Sequence, residues 1–315
     1  MTITHTPRIA IIILNWNGWQ DTIECLASIE NLTYPNVQTI IVDNNSNDGS
    51  AQKIRQKFPD IKIIQNVKNL GYAEGNNVGI REALRSQAEY IFILNNDTIL
   101  DPSIFSHLLR EAKNFNDLAI FSPRIYSYFT PGEVCFRGTR WSPEKARFIF
   151  LKSLNTDFPD GETDIYETGY AMGCAMFFDR KVPEQIGFLD SKFFLCWEEV
   201  DWCIRAQKVG IPIFHVPTAK VWHKSGSTFQ KKTNPGTAQY YLTRNWLLWI
   251  EKHLHGREKF LAYKRSLRKI YNEAKKSLKS KTAPKKTNMA ILKARIEGML
   301  HYCFRIFGQR PSDRT

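Results

Sequence analysis

Two groups of acidic residues stand where they could do chemistry. Asp97 ends the run Tyr90-Ile-Phe-Ile-Leu-Asn-Asn-Asp97, an apolar stretch that stops in a short polar turn. A carboxylate at the carboxyl end of a buried strand suits a hard divalent cation, because Mg²⁺ and Mn²⁺ take oxygen ligands and leave coordination positions for phosphate. Further along, Glu198, Glu199 and Asp201 open a helical stretch among Phe194, Trp197 and Trp202. Apolar rings desolvate a carboxyl and raise its proton affinity, which suits a base acting on a hydroxyl. Metal and base together describe transfer of a group from a phosphorylated donor. Plainer readings stand beside each: Asn-Asn-Asp is common turn chemistry, Asp201 and Arg205 at i and i+4 form an ion pair, and acids in a first turn suit the helix dipole. Adjacent glutamates point in different directions, so at most one of Glu198 and Glu199 faces a given pocket.

Other polar segments could complete such a site. Asp43-Asn-Asn-Ser-Asn-Asp-Gly49 follows a β-branched run. Asp48 or Ser50 could cap the next helix and Gly49 serve the turn, whereas Asp43 could accept hydrogen bonds from a nucleotide's base or ribose. Asn69-Leu-Gly-Tyr-Ala-Glu-Gly-Asn-Asn-Val-Gly79 has glycine at every fourth position, unlike the dinucleotide fingerprint or the phosphate loop. It reads either as a loop-to-helix junction or as a close backbone approach to a nucleotide, with Asn76 or Asn77 in contact. His223 follows an apolar run and precedes Lys-Ser-Gly-Ser227, whose side chains and amides could bind phosphate. Arg244 pairs with phosphate or with a helix neighbour.

Positioning these loops requires a sheet. Strands are predicted at Ile9–Leu14, Val37–Val42, Ile61–Ile64, Tyr90–Leu94 and Leu118–Phe121, with helices at Trp19–Ile29, Ser50–Phe58, Gly75–Ser86 and Pro102–Asn114. Such alternation implies βαβ units and a mostly parallel sheet with helices on both faces, with ligands beyond the carboxyl ends of the strands. Asn15-Trp-Asn-Gly18, Asp43–Gly49 and Asn95–Asp97 all fall at those ends. Residues 122–168 read as an elaborated loop or β region over the site. Gly169–Phe178 enters a strand, Arg180–Ile186 and Glu198–Val209 are helical, and Ile213–Val216 is a strand. From Ala238 onward the chain reads as helix, with a break at Thr282-Ala-Pro284.

The chain has 315 residues, 43% hydrophobic and 13% aromatic, which favours a packed protein over a disordered one. No apolar run approaches the roughly 18 residues of a membrane span, and the first residues lack a signal-peptide pattern, so a cytoplasmic protein is expected. The six cysteines show no CxxC pair, which argues against a zinc site or a disulfide framework. The net charge of +13 is confined to the end of the chain, since residues 1–250 hold 26 basic and 26 acidic residues and residues 251–315 hold 18 and 5. Aromatic and basic residues alternate in Trp246–Ile250 and Phe260–Tyr271. That pattern suits an amphipathic helix peripheral to an anionic membrane, at about 1 kcal/mol per basic residue near the surface. A solvated basic tail is the alternative.

Taken in order, the motifs resemble family 2 of the glycosyltransferases, which has a GT-A fold, and most closely its rhamnosyltransferase-like members. The likeness rests on Ile9–Gly18, Val42–Ser50, Asn69–Gly79 and Ile93–Asp97 in one half. In the other half it rests on Gly173–Phe178, Gly187–Asp190, Phe193–Arg205 and Ala219–Ser227. It implies a GT-A (Rossmann-like) α/β domain over residues 1–237 with a basic helical region over 238–315. The implied reaction is an inverting transfer of a sugar, with rhamnose from a dTDP donor favoured, from a nucleotide-diphosphate sugar to a glycan or lipid-linked acceptor in polysaccharide biosynthesis. By the same likeness Glu199, with Glu198 as the alternative, is the base, Asp97 holds Mn²⁺ or Mg²⁺, and His223 helps hold the metal or the diphosphate. The donor contacts Asn15, Asp43, Asn45, Gly71, Asn76, Asn95, Asn96 and Arg244. Two positions depart from the family's pattern: Asn95 replaces the first acid of its DxD motif, and Glu199 replaces an aspartate. Two rivals make other demands. A nucleotidyltransferase would need a Gly-rich basic loop after the first strand, unlike Asn15–Gly18. A nucleic-acid-binding protein using the basic tail would leave the acidic loops unexplained, and no nucleic acid is expected as a partner.

Overall fold

A computed structural model describes residues 5–115, 118–151, 163–224, 235–279 and 285–313. Its elements in chain order are β1 (Ile9–Asn15), α1 (Trp19–Glu30), β2 (Val37–Asp43), α2 (Ser50–Lys57), β3 (Lys62–Gln65), α3 (Gly71–Arg85), β4 (Tyr90–Asn95), β5 (Thr98–Leu100) and α4 (Ile104–Asn114). There follow β6 (Ile120–Ser127), β7 (Val134–Phe136), β8 (Thr139–Ser142), β9 (Arg147–Phe150), β10 (Tyr166–Glu167), β11 (Ala175–Asp179), α5 (Lys181–Ile186), α6 (Glu198–Lys208) and β12 (Ile213–His223). The last helices are α7 (Pro235–His253), α8 (Gly256–Lys279) and α9 (Lys285–Cys303), so the expected break at Thr282–Pro284 lies outside the described residues.

The main sheet runs β10-β12-β6-β11-β4-β1-β2-β3. Strands β1 to β4 are parallel, β11 enters antiparallel between β4 and β6, and β12 lies parallel to β6. Alternate residues of β1 feed two cores. Ile9, Ile11 and Ile13 join Phe92, Phe105 and Phe177 on one face, while Ala10 and Ile12 join Ile80, Trp202 and Ala206 on the other. A strand buried on both faces reads as a continuous apolar run, which is why β1 and β4 were legible. The parallel register sets Asn15 beside Asp43 and Asp43 beside Gln65, so the polar strand ends form one rim.

Three boundaries differ from the sequence expectation, and the first is β6, which runs on to Ser127 instead of ending at Phe121 because β12 and β7 pair with it. Strand β12 does not stop at Val216: a register shift between Val216 and Lys220, around Pro217, lets it continue through His223. Helix α3 starts at Gly71 rather than Gly75, because Phe194 O accepts hydrogen bonds from the backbone N–H of Tyr72 and Ala73, at 2.5 and 3.3 Å. A helix start supplied by a residue so distant leaves no local signal.

The glycines of α3 are packing devices. A Cβ on Gly75 would stand 2.6 Å from Leu14 Cδ1, and one on Gly79 would overlap Ile12 Cγ2, so both let α3 lie directly on β1. Gly79→Ala is therefore expected to destabilise the fold by about 1–3 kcal/mol, because a β-branched core side chain cannot rotate away from the added methyl. Urea unfolding of the two proteins checks this, and equal midpoints would show that the helix shifts without cost.

Candidate functional site

One hydrogen-bonded chain joins the loops at the strand tips. Asn15 Nδ2 donates to Asp43 Oδ1 at 2.8 Å and to Ser46 Oγ at 3.1 Å, while Ser46 donates to Asp43 through both Oγ and backbone N. Thr22 Oγ1 donates to Asn15 Oδ1, and Asn96 Nδ2 donates to Thr22 Oγ1. Asn15, Asp43 and Asn96 are all buried, so the network fixes three loops at once. Asn45 is exposed just beyond it with φ 64°, a left-handed backbone that asparagine tolerates. Ser46 and Thr22 belong to this network but were not expected from the sequence. Neither was Asn44, which donates to Asn69 Oδ1 and Gly71 O and accepts from Leu70 N, holding the loop before α3.

Asp97 meets His223 because β5 pairs antiparallel with the extended end of β12, setting Thr98 opposite His223. Asp97 Oδ1 and His223 Nε2 are 3.0 Å apart and both residues are buried. Burial alone would depress the His223 imidazolium, but Cys174 and the Asp97 carboxylate override it and hold the ring's pKa up to about 11. Lys224 N donates to Asp97 O, while the Lys224 ammonium is taken by Asp21 and Glu24 of α1 at 2.7 Å each. The Ser225–Ser227 part of the expected phosphate segment lies outside the described residues.

The turn before α6 is built from unusual backbone. Phe194, Cys196 and Trp197 have φ of 63°, 67° and 77°, a conformation costing non-glycine residues on the order of 1 kcal/mol or more each. Helix α7 holds it there. Asn245 Nδ2 donates to the carbonyls of Phe193, Leu195 and Cys196 at 2.7, 2.7 and 2.9 Å, and Arg244 Nη2 donates to Phe193 O at 2.9 Å. Arg244 also reaches Lys192 O, Gly308 O, Tyr240 OH and Asn245 Oδ1. The guanidinium thus serves the turn and the chain's end, where the sequence suggested a phosphate partner. A second anchor is Asp201, which receives Arg205 at 3.0 Å, Lys252 at 2.6 Å and His253 at 2.8 Å. The expected i, i+4 ion pair is present, but α7 supplies two further partners.

The turn aims Glu198 and Glu199 into a cavity of about 740 Å³, which Asn95, Tyr72, Gly173, Tyr170, Trp197 and Trp246 also line. Each glutamate has one buried carboxylate oxygen with no hydrogen-bond partner. Burial raises the pKa of both. Glu198 lies well above the usual carboxylate range, with Glu199 adding repulsion. Asn76 lies fully buried in α3, its Nδ2 on Tyr72 O and its Oδ1 without a partner. Gly71, at φ 77°, touches the Phe194 turn closely enough that a Cβ would fall 2.5 Å from Phe194 O. Asn95 brings the cavity to within two residues of Asp97. Two acids in raised states, a carboxylate–imidazole pair and a polar rim therefore share one edge of the sheet.

Comparison with known proteins agrees with this layout. A family model described as Glycosyl transferase family 2 matches residues 10–187. The low-salt glycan biosynthesis hexosyltransferase Agl10 of Haloferax volcanii is 29% identical over 215 residues, covering 67% of this chain. The match spans 65% of that relative's length, just under two thirds. An N-acetylglucosaminyl-diphospho-decaprenol L-rhamnosyltransferase of Mycobacterium tuberculosis is 25% identical over 223 residues, 64% of this chain and 72% of that one. The mannosyltransferase PcManGT of Pyrobaculum calidifontis, solved with GDP-Man and Mn²⁺, superposes with a TM-score of 0.60 at 14% identity, over 96% of this chain and 89% of that one. That likeness is one of fold, the GT-A arrangement.

The Asp201 anchor makes a pH prediction. Burial opposes ionisation of Asp201, but His253, Lys252 and Arg205 together hold its pKa down to about 2. A depressed carboxyl stabilises the fold above its ordinary value near 4, and that contribution disappears as pH falls toward 2. Between pH 7 and the acid limit the protein should lose on the order of 2 kcal/mol more than an Asp201→Asn variant. Urea unfolding at stepped pH reads the difference, and parallel curves would remove Asp201 as an anchor.

Proposed function

We propose, for a chain that belongs to glycosyl transferase family 2, an inverting transfer from a nucleotide-diphosphate sugar to a hydroxyl of a lipid-linked or glycan acceptor. The observation that carries this reading is the pair of carboxyls, Glu198 and Glu199, each with one buried oxygen that has no hydrogen-bond partner, in a cavity that Asn95 also lines, two residues from Asp97. Asn15, Asp43, Asn45 and Asn96 form the rim on which the nucleotide would lie, with Gly71, Asn76 and Asn95 behind it. Rhamnose is the favoured sugar, in line with the mycobacterial relative's name, and the diphospho-decaprenol in that name favours a lipid-linked acceptor.

Asp97 and His223 fit a divalent cation such as Mn²⁺ or Mg²⁺. Asp97 Oδ1 and His223 Nε2 stand together in one buried pair, and both would become ligands once a cation displaced the proton they share. Among the described residues no set of three His, Cys, Asp or Glu is arranged to hold a metal, so the remaining positions suit diphosphate oxygens and water. A cation bound there would neutralise charge developing on the departing diphosphate. The chain's own residues do the rest. Glu199 accepts the proton of the acceptor hydroxyl as its oxygen bonds the anomeric carbon. The bond from that carbon to the donor phosphate breaks, and its electron pair leaves on the nucleotide diphosphate. Attack opposite the leaving group inverts the anomeric centre. Glu198 stands beside Glu199, its proton affinity raised by burial and by that neighbour. Arg244 and Asn245 act as positioning residues for both.

The region after residue 237 would seat the enzyme on an anionic membrane. Phe260, Leu267 and Tyr271 of α8 are 65%, 59% and 65% exposed amid basic residues, and no helix among the described residues is long and apolar enough to cross a membrane. A peripheral enzyme at the inner face of the membrane accounts for both.

Calorimetric titration of UDP, dTDP and GDP with and without Mn²⁺ tests the donor site. One nucleotide should bind in a metal-dependent way, and Asp97→Ala should abolish that dependence. Absence of metal-dependent binding to any of them would sink the donor reading. Once the donor is known, Glu199→Gln should lower kcat by about 10²–10⁴-fold with nucleotide affinity intact. Because the raised carboxyl must be ionised to act, activity should rise with pH along an acid limb displaced above the usual carboxylate range. Full activity in Glu199→Gln would move the base to Glu198.

A further inference from the structure

The cavity is lined by more than the glutamates and the residues placed at the donor. Arg147 of β9, Arg265 and Lys269 of α8 and Arg295 of α9 line it together with Glu198 and Glu199. Four cations from three elements thus converge on one concavity. Among the described residues Arg295 is paired with Glu273, whose carboxylate stands 2.8 Å from Arg295 Nε. Glu258, earlier on α8, is engaged by Trp141 Nε1. The cations repel one another. Burial and then Arg295 push the Lys269 ammonium down, and burial and then Arg147 push the Arg265 guanidinium down. Converging like charges in a concavity destabilise a fold unless an anion offsets them, and they focus a positive field on whatever enters.

The two sides of α8 separate this cluster from the membrane surface. At 3.6 residues per turn, Phe260, Leu267 and Tyr271 fall on one side of the helix. Arg265 and Lys269 fall on the opposite side, one turn apart. The apolar side faces outward and the cations face the cavity. Lys264 and Arg268 flank the apolar stripe, as cations do on a helix at a bilayer, whereas Arg265 and Lys269 stand opposite it.

We infer that Arg147, Arg265, Lys269 and Arg295 form an anion subsite that binds the phosphate or diphosphate group joining the acceptor sugar to its carrier. This rests on the transferase reading above. It places the acceptor's anion at one end of the cavity, the donor's diphosphate beyond the other, and the acceptor hydroxyl between them at Glu199. The volume of about 740 Å³ accommodates more than a single sugar ring and lies within the roughly 300–1,000 Å³ of small-molecule sites. An acceptor lacking the anion would then be a poor one even with the correct sugar.

The probe is inorganic pyrophosphate, titrated at low salt into the full chain in the presence of EDTA, so that no cation at Asp97 can recruit it. The wild type should bind, and the double variant Arg265→Gln/Lys269→Gln should bind at least tenfold more weakly. Arg147→Gln, on a different element, should weaken binding in the same direction. Mn²⁺-dependent nucleotide binding and partition onto phosphatidylglycerol vesicles should stay within twofold in every variant. Equal pyrophosphate affinity in wild type and variants, or none in the wild type, would overturn the subsite. So would variants that lose vesicle partition while keeping pyrophosphate, since the cations would then serve lipid headgroups. If the wild type binds pyrophosphate through these residues but no nucleotide with Mn²⁺, the donor reading fails and the anion subsite stands.

Discussion

Between Phe193 and Trp197 the backbone passes through three left-handed residues, and it stays there because Arg244 and Asn245 occupy its carbonyls. Much of the site follows from that contact. The turn sets the direction in which α6 begins and therefore where Glu198 and Glu199 point. Through Phe194 O it also starts α3, the helix that lies on β1 and carries Tyr72 to the cavity wall. One strained segment thus joins the half of the chain that resembles a nucleotide binder to the half that carries the acids. Strain of this kind persists only where surrounding bonds over-determine it, and here α7 supplies them.

The parts of the fold that could be read from sequence are those whose signal is local. Strands β1 and β4 are apolar runs buried on both faces, β2 ends in the buried run Ile40–Val42, and α1, α2 and α4 have their own periodicity, so their limits agree with expectation within a few residues. Legibility fails where a partner is distant. The start of α3 depends on Phe194, and the last stretch of β12 depends on pairing with β5 across a bulge at Pro217. Arg244 carried no mark to distinguish a ligand for phosphate from a clamp on carbonyls, because both need the same fork of donors. Ser46, Thr22 and Asn44 look like ordinary turn and helix residues until the strand register sets their loops side by side.

The C-terminal helices show a division of labour. Helix α7 belongs to the body: Leu247, Trp249 and Ile250 pack with Phe193 and Val200, and Lys252 and His253 reach Asp201. Helix α8 carries exposed apolar side chains on one side and, on the other, Arg265 and Lys269 that line the cavity. The basic excess of residues 251–315 therefore has two destinations rather than one, and the composition of the tail could not separate them.

Synthesis of the chain from its N-terminus gives the distant partners a temporal meaning. The strands β1 to β4 and their polar loops are complete once residue 95 has been made, and domains made first can fold first. Asp97, however, has no histidine beside it until residue 223 exists, and the turn that aims the two glutamates has no clamp until residue 245 does. A chain that stopped before residue 223 would carry β1 to β4 but neither the histidine beside Asp97 nor the residues that hold the turn before the two glutamates.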